Sequence, residues 1–372
     1  MDFAFDEDQE ELRRTVRAFL EATAPEAETR RTMETEAGYD QALWRRMGSE
    51  LGLQGLAIPE EHGGAGAGPV EVGLVMEEMG RAMLCAPYLA SAVQATTALL
   101  HSDDEEARTE LLPALAAGEQ VATLALTEDS ARWNREGVTL TARAGADGGW
   151  LLDGHKTFVL DGAQADVVLT VARATDGIGI FLVAGDAPGL TRTTLPTLDL
   201  TRRQARLEYR DVPARRLRTR GDGWELVEVV LRHSAVALAA EQVGVASRAL
   251  EMAVEYAKVR HQFGRAIGSF QAVKHLLADS LMEVESARAA AYAALLSAQN
   301  GEGDLPMAAS LAKSLCSDAS VKVTQDNIQV HGGIGFTWEH PAHLYFKRAK
   351  TSQLLLGDSA YHRELLAQAI GV

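Results

Sequence analysis

Residues 256–275 read Tyr-Ala-Lys-Val-Arg-His-Gln-Phe-Gly-Arg-Ala-Ile-Gly-Ser-Phe-Gln-Ala-Val-Lys-His. The apolar period of one long helix runs out near Val259, Gly264 supplies a turn, and a second helix restarts after Gly268. Arg260 and Gln271 are thereby set on either side of the turn. A permanently charged guanidinium and a carboxamide, held by a helical hairpin, suit a pyrophosphate and an adenosine. By spacing alone the same residues also read as a helix-loop-helix with incidental charge.

On both sides of this stretch the helical period dominates. It holds over about 224–258, 268–299, 305–331 and 341–369, which is the pattern of a four-helix bundle. Upstream of Gly221-Asp-Gly223 the texture is different. Val121–Leu126, Val138–Ala142, Trp150–Asp153, Thr157–Leu160, Val167–Ala172, Ile178–Val183 and Arg206–Tyr209 are short, alternating or wholly apolar, and separated by Gly, Asp or Pro. That spacing predicts an antiparallel sheet or small barrel. Residues 6–56 and 70–100 are helical again, with a break at Pro59–Gly66 and a short helix after the acidic turn 103–106. The expected fold is α+β in three segments: helices over 1–119, a β-domain over 120–221, and the bundle over 222–372.

The totals narrow the functional classes. With 372 residues and 47% apolar side chains, the chain can build two or three substantial cores. Its 36 basic and 52 acidic residues give a net charge of −16, which disfavours nucleic acid and anionic membrane surfaces as partners. Cys85 and Cys316 are the only cysteines and show no metal-ligand spacing, which suits a reduced cytosol. The acidic N-terminus shows no signal peptide, and no apolar run approaches the roughly 18 residues of a membrane span. A cytoplasmic protein is expected.

The stretch 256–275 also resembles the R-x-Q-F-G-x-x-I-x-x-F-Q signature of the acyl-CoA dehydrogenase family, flavoenzymes that desaturate acyl thioesters. The order helices, β-domain, bundle is similar to that family from end to end. The resemblance implies FAD held between β-domain and bundle, with part of the dinucleotide gripped by a neighbouring subunit. It implies Arg260, Gln262, Phe263 and Gln271 as cofactor-binding residues, and a tetramer built from dimers. Expected partners are acyl-CoA or an acyl-carrier thioester as substrate, and an electron-transfer flavoprotein.

Other segments carry the likeness further. Gln329-Val-His-Gly-Gly-Ile-Gly335 is similar to Q-x-x-G-G-x-G, which implies Gln329, Gly332 and Gly333 along the adenosine-phosphate part; by itself it is a helix C-cap. His331 inside it reads as a satisfied polar residue. Leu124–Asp129 resembles the strand-loop whose backbone and Thr face the flavin ring, which implies Leu126 and Thr127; Ser130 stands near a serine that the family places later. Gly154-His-Lys-Thr-Phe-Val-Leu-Asp-Gly162 resembles G-x-K-x-W-I-T-N-G. Phe158 then replaces a Trp that packs on the flavin, and Leu160 replaces a hydroxyl donor to flavin N5. Loss of that donor removes about 0.5–1.5 kcal/mol of net hydrogen bonding. Gly63, Gly64, Gly66 and Gly68 fit no phosphate-loop pattern, and Leu53–Gly66 is similar to a structural turn of the family.

The family's chemistry needs a carboxylate base in a dry pocket, where desolvation raises its pKa. Both usual positions lack one: Leu356 occupies the first, and Ser234 followed by Ala235 the second. Two candidates stand nearby. Glu241 is the only acid between Glu228 and Glu251 and lies two helical turns past Ser234; its alternative is a structural Glu paired with Arg248 or with a residue off the helix. Asp358 lies just past Leu356; its alternative is a helix N-cap. Lys347-Arg348 replaces the usual Arg-Asp, and the segment from Phe336 to Asp358 resembles the heteromeric branch acting on steroid side chains and other bulky acyl groups. The expected function is FAD-dependent α,β-dehydrogenation of a bulky acyl-CoA, by a homotetramer or a heterotetramer with a paralogue. A non-catalytic subunit and a flavin monooxygenase or tailoring oxidase of the same fold remain the alternatives.

Overall fold

The computed structural model describes residues 5–145, 148–301 and 304–372, so the start at 1–4 lies outside it. In chain order the helices before the sheet are α1 (Glu7–Thr23), α2 (Glu26–Glu34), α3 (Gln41–Leu51), α4 (Pro69–Ala82), α5 (Thr96–Leu100) and α6 (Glu105–Ala116). The strands are β1 (Ala122–Ala125), β2 (Thr141–Ala144), β3 (Trp150–Leu160), β4 (Val167–Ala174), β5 (Gly177–Ala184), β6 (Leu190–Thr194) and β7 (Gln204–Arg216). Then come α7 (Gly223–Val259), the two-residue strands β8 (His261–Gln262) and β9 (Arg265–Ala266), α8 (Gln271–Asn300), α9 (Leu305–His331), α10 (Ala342–Leu354) and α11 (Ser359–Ala369). These elements form two compact units, one of 1–31, 69–84 and 235–372, the other of 32–68 and 85–234. The division cuts across the sequential segments, because the N-terminal helices are shared between the units.

In the first unit α4 crosses α7 at backbone contact. A Cβ added at Gly80 would meet the Glu241 carbonyl oxygen at 2.2 Å, and one at Gly244 would meet the Glu77 oxygen at 1.9 Å. Only glycine fits at either place, and the close approach fixes where Glu241 stands. The last helical segment is not the single helix expected over 341–369. It breaks after Leu354, where Leu356 (φ 62°) and Gly357 (φ 99°) are left-handed and Asp358 caps α11. The Gly-Asp pair was the stop-and-start signal. One further expectation needs correction: α7 does contain an 18-residue window of mean hydropathy 1.2, long and apolar enough to cross a membrane. That window is 78% buried in protein, which is how a core helix of a bundle reads.

The second unit holds the sheet. Strands pair in the order β1-β4-β2-β3-β7-β5, and β5 also pairs with β4, so five strands close a barrel around Leu152, Val168, Phe181, Leu207 and Val212. It is not wholly antiparallel, since β1 and β2 both run parallel to β4. Apolar alternation reports which face of a strand is buried and says nothing of the direction of its neighbour. The two short strands expected at 150–153 and 157–160 are one strand, β3, with register shifts against β7 between Leu152 and Gly154 and between Lys156 and Val159. Gly154 (φ 132°) breaks the pattern in sequence but is absorbed as an irregularity within the strand. The glycine loop at 63–68 turns its donors back on itself, with Ala65, Gly66 and Ala67 N–H bonded to the carbonyls of Gly55, Ile58 and Leu56. It presents no cradle for phosphate.

Candidate active site

At one end of the first unit α7 passes into the β8–β9 hairpin, with Phe263 and Gly264 both at positive φ in its turn. The Ile267 N–H donates to the Arg260 carbonyl at 2.8 Å and closes the loop. A Cβ at Gly268 would meet the Ala257 oxygen at 2.9 Å, so glycine lets the loop lie on α7. Ala253, Ala257 and Val330 pack there with Tyr256, Ile267, Val273, Leu276 and Leu277, which gathers the ends of α7 and α9 and the start of α8. Arg260, Gln262, Phe263, Gln271, Gln329, Gly332 and Gly333 are therefore brought to one end of the bundle, and all seven are exposed there.

Their bonding is informative. Among the described residues the side chains of Arg260, Gln271 and Gln329 make no hydrogen bond or ion pair. Gln262 only donates to the neighbouring His261 carbonyl at 2.8 Å, and Phe263 is 92% exposed. A Cβ at Gly332 or Gly333 would meet nothing within 4 Å, so the backbone there is open to a ligand. His331, by contrast, is buried: its Nδ1 bonds the Asn327 carbonyl at 2.8 Å and its ring stacks on Tyr256 with centroids 4.3 Å apart. Burial lowers its pKa, so it is a structural imidazole. One guanidinium, two carboxamides and open glycine backbone form a donor set suited to a dinucleotide phosphate.

The second unit carries the other predicted residues on the barrel edge. Leu126 and Thr127 continue β1 and are buried. Thr127 Oγ1 donates to the Thr157 carbonyl at 2.7 Å, and the Thr157 N–H donates to the Thr127 carbonyl at 2.9 Å. Phe158 lies in the irregular part of β3 with φ 56°, rare for a bulky residue, and is 41% exposed. Such backbone costs about 1–3 kcal/mol and tends to mark functional sites. Leu160 is buried, and its carbonyl accepts from Thr123 Oγ1 at 2.6 Å. Ser130 is exposed on the following turn.

Both acids considered as bases have structural partners. Glu241 is buried and its Oε1 receives Nη1 of Arg348 at 2.9 Å, each side chain 4% exposed. Arg348 also donates to the Leu84 carbonyl at 3.0 Å. The partner is thus Arg348, and Arg248 pairs instead with Glu251 at 3.1 Å. The carboxylate is thus already engaged by a buried guanidinium inside the fold, and is not a free group facing a substrate cavity. Asp358 is exposed and accepts from the Tyr361 N–H at 2.8 Å as the N-cap of α11.

Three groups were not singled out from sequence. Lys156 is wholly buried and donates to Glu128 at 2.8 Å and to the Leu126 carbonyl at 2.9 Å; burial pushes its amine down to about 8 against the pull of Glu128. Burial alone would raise Glu128, but Lys156 and the Leu140 N–H hold it below the usual carboxylate range. Lys313 on α9 donates to the carbonyls of Gln353 and Gly357 at 3.2 and 3.0 Å, and burial pushes it down to about 7. His362 Nε2 bonds the Leu356 carbonyl at 3.0 Å. Together Lys313 and His362 hold the left-handed loop that carries Leu356. The signal available for Lys156 was a cation inside the Gly154–Gly162 motif at an inward strand position.

Comparison with known proteins agrees with this layout. Three family profiles match in succession: acyl-CoA dehydrogenase N-terminal domain over 6–119, middle domain over 123–212 and C-terminal domain over 221–371. Acyl-CoA dehydrogenase IpdE2 of Mycolicibacterium smegmatis is 37% identical over 351 residues, covering 94% of this chain and 95% of its own length. The solved Tcur3481-Tcur3483 steroid ACAD is 34% identical, with a TM-score of 0.89 and 98% of each chain covered. The ChsE4-ChsE5 complex from Mycobacterium tuberculosis is 30% identical, with a TM-score of 0.91, covering 100% of this chain and 99% of that one. The chain belongs to the acyl-CoA dehydrogenase family, flavoprotein oxidoreductases that act on CH–CH groups.

Proposed function

We propose that this chain binds FAD and serves in α,β-dehydrogenation of a bulky acyl-CoA thioester as one subunit of a heteromeric acyl-CoA dehydrogenase whose partner chain supplies the base. FAD, when bound, accepts the β-hydrogen of the substrate as hydride. Arg260, Gln271 and Gln329, with the open backbone at Gly332 and Gly333, hold the dinucleotide phosphates and adenosine. Leu126, Thr127 and Phe158 present backbone and an aromatic face to the flavin ring. An electron-transfer flavoprotein is the expected acceptor of the electrons.

One observation carries the heteromeric reading: no carboxylate is left for α-proton abstraction at the positions where the family keeps it. Leu356 and Ser234 occupy those positions, and the two acids nearby are engaged: Glu241 is paired with Arg348, and Asp358 caps α11. The similarity to the steroid ACAD and to the ChsE4-ChsE5 complex supports both the assembly and the bulky acyl group. The test is mass analysis of the purified complex, then anaerobic titration with a panel of acyl-CoA thioesters. Bleaching of the flavin only when a paralogue carrying a carboxylate is present is the expected result. Bleaching by the lone chain, abolished by Glu241→Gln, would return the base to Glu241. Rapid, productive reaction of the reduced flavin with oxygen would instead favour a monooxygenase.

A further inference from the structure

The Gly154–Gly162 motif carries a lysine that is fully bonded inside the protein. Lys156 lies at 0% exposure inside the second unit, and three kinds of acceptor and donor converge on it and its partner. Its amine donates to the Leu126 carbonyl at 2.9 Å and to Glu128 Oε1 at 2.8 Å. Glu128 in turn accepts from the N–H groups of Thr139 and Leu140 at 2.8 and 2.9 Å, and from the Thr139 hydroxyl. Beside it run the reciprocal bonds between Thr127 and Thr157 and the bond from Thr123 Oγ1 to the Leu160 carbonyl.

We infer that Lys156 is a positioning residue that ties the Leu126–Thr127 segment to the irregular stretch of β3, and so sets the flavin-facing edge of the barrel. This role rests on the proposed binding of flavin and names the group that keeps that edge in register. β3 loses its register with β7 between Lys156 and Val159, and Phe158 sits there at φ 56°, so the ladder itself does not hold this stretch. Bonds off the ladder hold it: Thr157, immediately before the left-handed residue, exchanges two bonds with Thr127, and Lys156 adds the tie to the Leu126 carbonyl.

Stability alone does not explain the lysine. A buried ion pair replaced by apolar residues of similar volume is often neutral or stabilising, because the desolvation cost disappears. What an apolar residue cannot do is donate to the Leu126 carbonyl. That carbonyl belongs to the segment whose backbone is assigned to the flavin, and any drift of it moves the Thr127 N–H and side chain as well. A lysine reaches it across the strand, where a shorter donor would not.

The experiment uses the protein with whatever subunit copurifies, and compares Lys156→Met/Glu128→Gln with Glu128→Gln alone. Removing both charges spares the fold the cost of an unpaired ion, and Gln keeps an acceptor for the Thr139 and Leu140 N–H groups. For the double variant we expect a thermal midpoint near wild type. In flavin-free protein, amide exchange at residues 126–128 and 157–158 should be at least tenfold faster. FAD affinity should fall at least tenfold, with a shifted visible spectrum in whatever cofactor remains. Glu128→Gln strands a buried ammonium and should lower the thermal midpoint, but it keeps the bond from Lys156 to Leu126; at a temperature where it is folded, its FAD affinity and its exchange at these residues relative to the rest of the barrel should stay within about threefold of wild type. Wild-type exchange and affinity in the double variant would overturn the inference, as would an equal loss in Glu128→Gln. Wild-type protein that binds no FAD, alone or with its partner, would overturn the flavin reading and this inference with it.

Discussion

The hairpin end of the bundle and the edge of the barrel carry polar side chains in opposite states. At the hairpin end Arg260, Gln271 and Gln329 are exposed, and none of the three has a partner among the described residues. At the barrel edge Lys156, Glu128, Thr127 and Thr157 are buried and bonded to one another. A polar group within reach of water costs folding almost nothing, so evolution can leave it uncommitted until a ligand arrives. A buried one costs several kcal/mol unless it is satisfied, so it is bonded before any ligand binds. The first region is left open and the second is already in place. The contrast also sorts the acids: Glu241 behaves like the barrel edge, committed and buried, and not like a group waiting for substrate.

The strongest challenge to that sorting is to remove one half of the Glu241–Arg348 pair. Glu241→Gln or Arg348→Met strands a buried charge or donor and should cost about 3–5 kcal/mol in denaturant unfolding. Glu241→Leu with Arg348→Met should recover most of it. If Glu241→Gln leaves stability intact while abolishing flavin reduction, Glu241 moves to the other class.

Next in size is an acid effect in the loop that carries Leu356. His362 donates from Nε2 to the Leu356 carbonyl, while Nδ1 is buried without a donor and Lys313 lies close. Burial first, and then that lysine, push its pKa down to about 4. The unfolded chain takes up the proton near pH 6.5, whereas the folded one resists it until about pH 4. The folded state therefore binds fewer protons across that window, and stability falls as pH drops through it, by up to ~3 kcal/mol for this residue. Urea unfolding at pH 7 and pH 5 should show the loss, and His362→Gln should remove this residue's share of it, leaving the shares of His233 and His343, whose pKa values burial also pushes down to about 4. An unchanged slope would mean that the imidazole is not held as buried and neutral.

At the hairpin end the sign of the comparison reverses. Arg260→Ala should leave the flavin-free protein as stable as wild type to within about 0.5 kcal/mol, because no intrachain bond is lost. The same change should weaken FAD by about 1.5–3 kcal/mol, roughly 10- to 150-fold, the worth of a charge-assisted bond. Gln271→Ala and Gln329→Ala should each cost about 0.5–1.5 kcal/mol of affinity. Thermal melts and flavin-fluorescence titration of the three variants check this directly. A large fall in apoprotein stability for Arg260→Ala would show that the guanidinium serves the fold.

Much of the molecule was legible in the residues themselves. The 3.6-residue period placed the bundle helices, and Gly264 and Gly268 placed the hairpin, because helix faces and tight turns are properties of neighbours in sequence. The side chains proposed for the cofactor at the hairpin end came from the family resemblance, which short motifs with fixed spacing carry. What stayed hidden depends on distance along the chain. Lys156 meets Glu128 across 28 residues and Arg348 meets Glu241 across 107, and no local pattern records such a pairing. The parallel pairing of β1 and β2 with β4 was hidden likewise, since a strand's pattern gives its inward face and not its neighbour's direction. β6 was missed because its residues alternate between exposed and half-buried, and Leu190–Thr194 shows no apolar face to detect.

Asp358 tests the boundary of the comparison, being exposed like Arg260 yet bonded like Lys156. Its carboxylate accepts from the Tyr361 N–H, so Asp358→Ala should remove one cap and cost about 1 kcal/mol of stability. Asp358→Asn and Asp358→Ser should recover most of that, since either side chain can accept the same N–H. If the residue does nothing more, flavin reduction by an acyl-CoA should be the same in all three variants at a temperature where each is folded. A base would give a different order: Asn and Ser would restore the stability and leave reduction as slow as in Ala. The two orders separate capping from chemistry at a single position, without requiring that the base be found first.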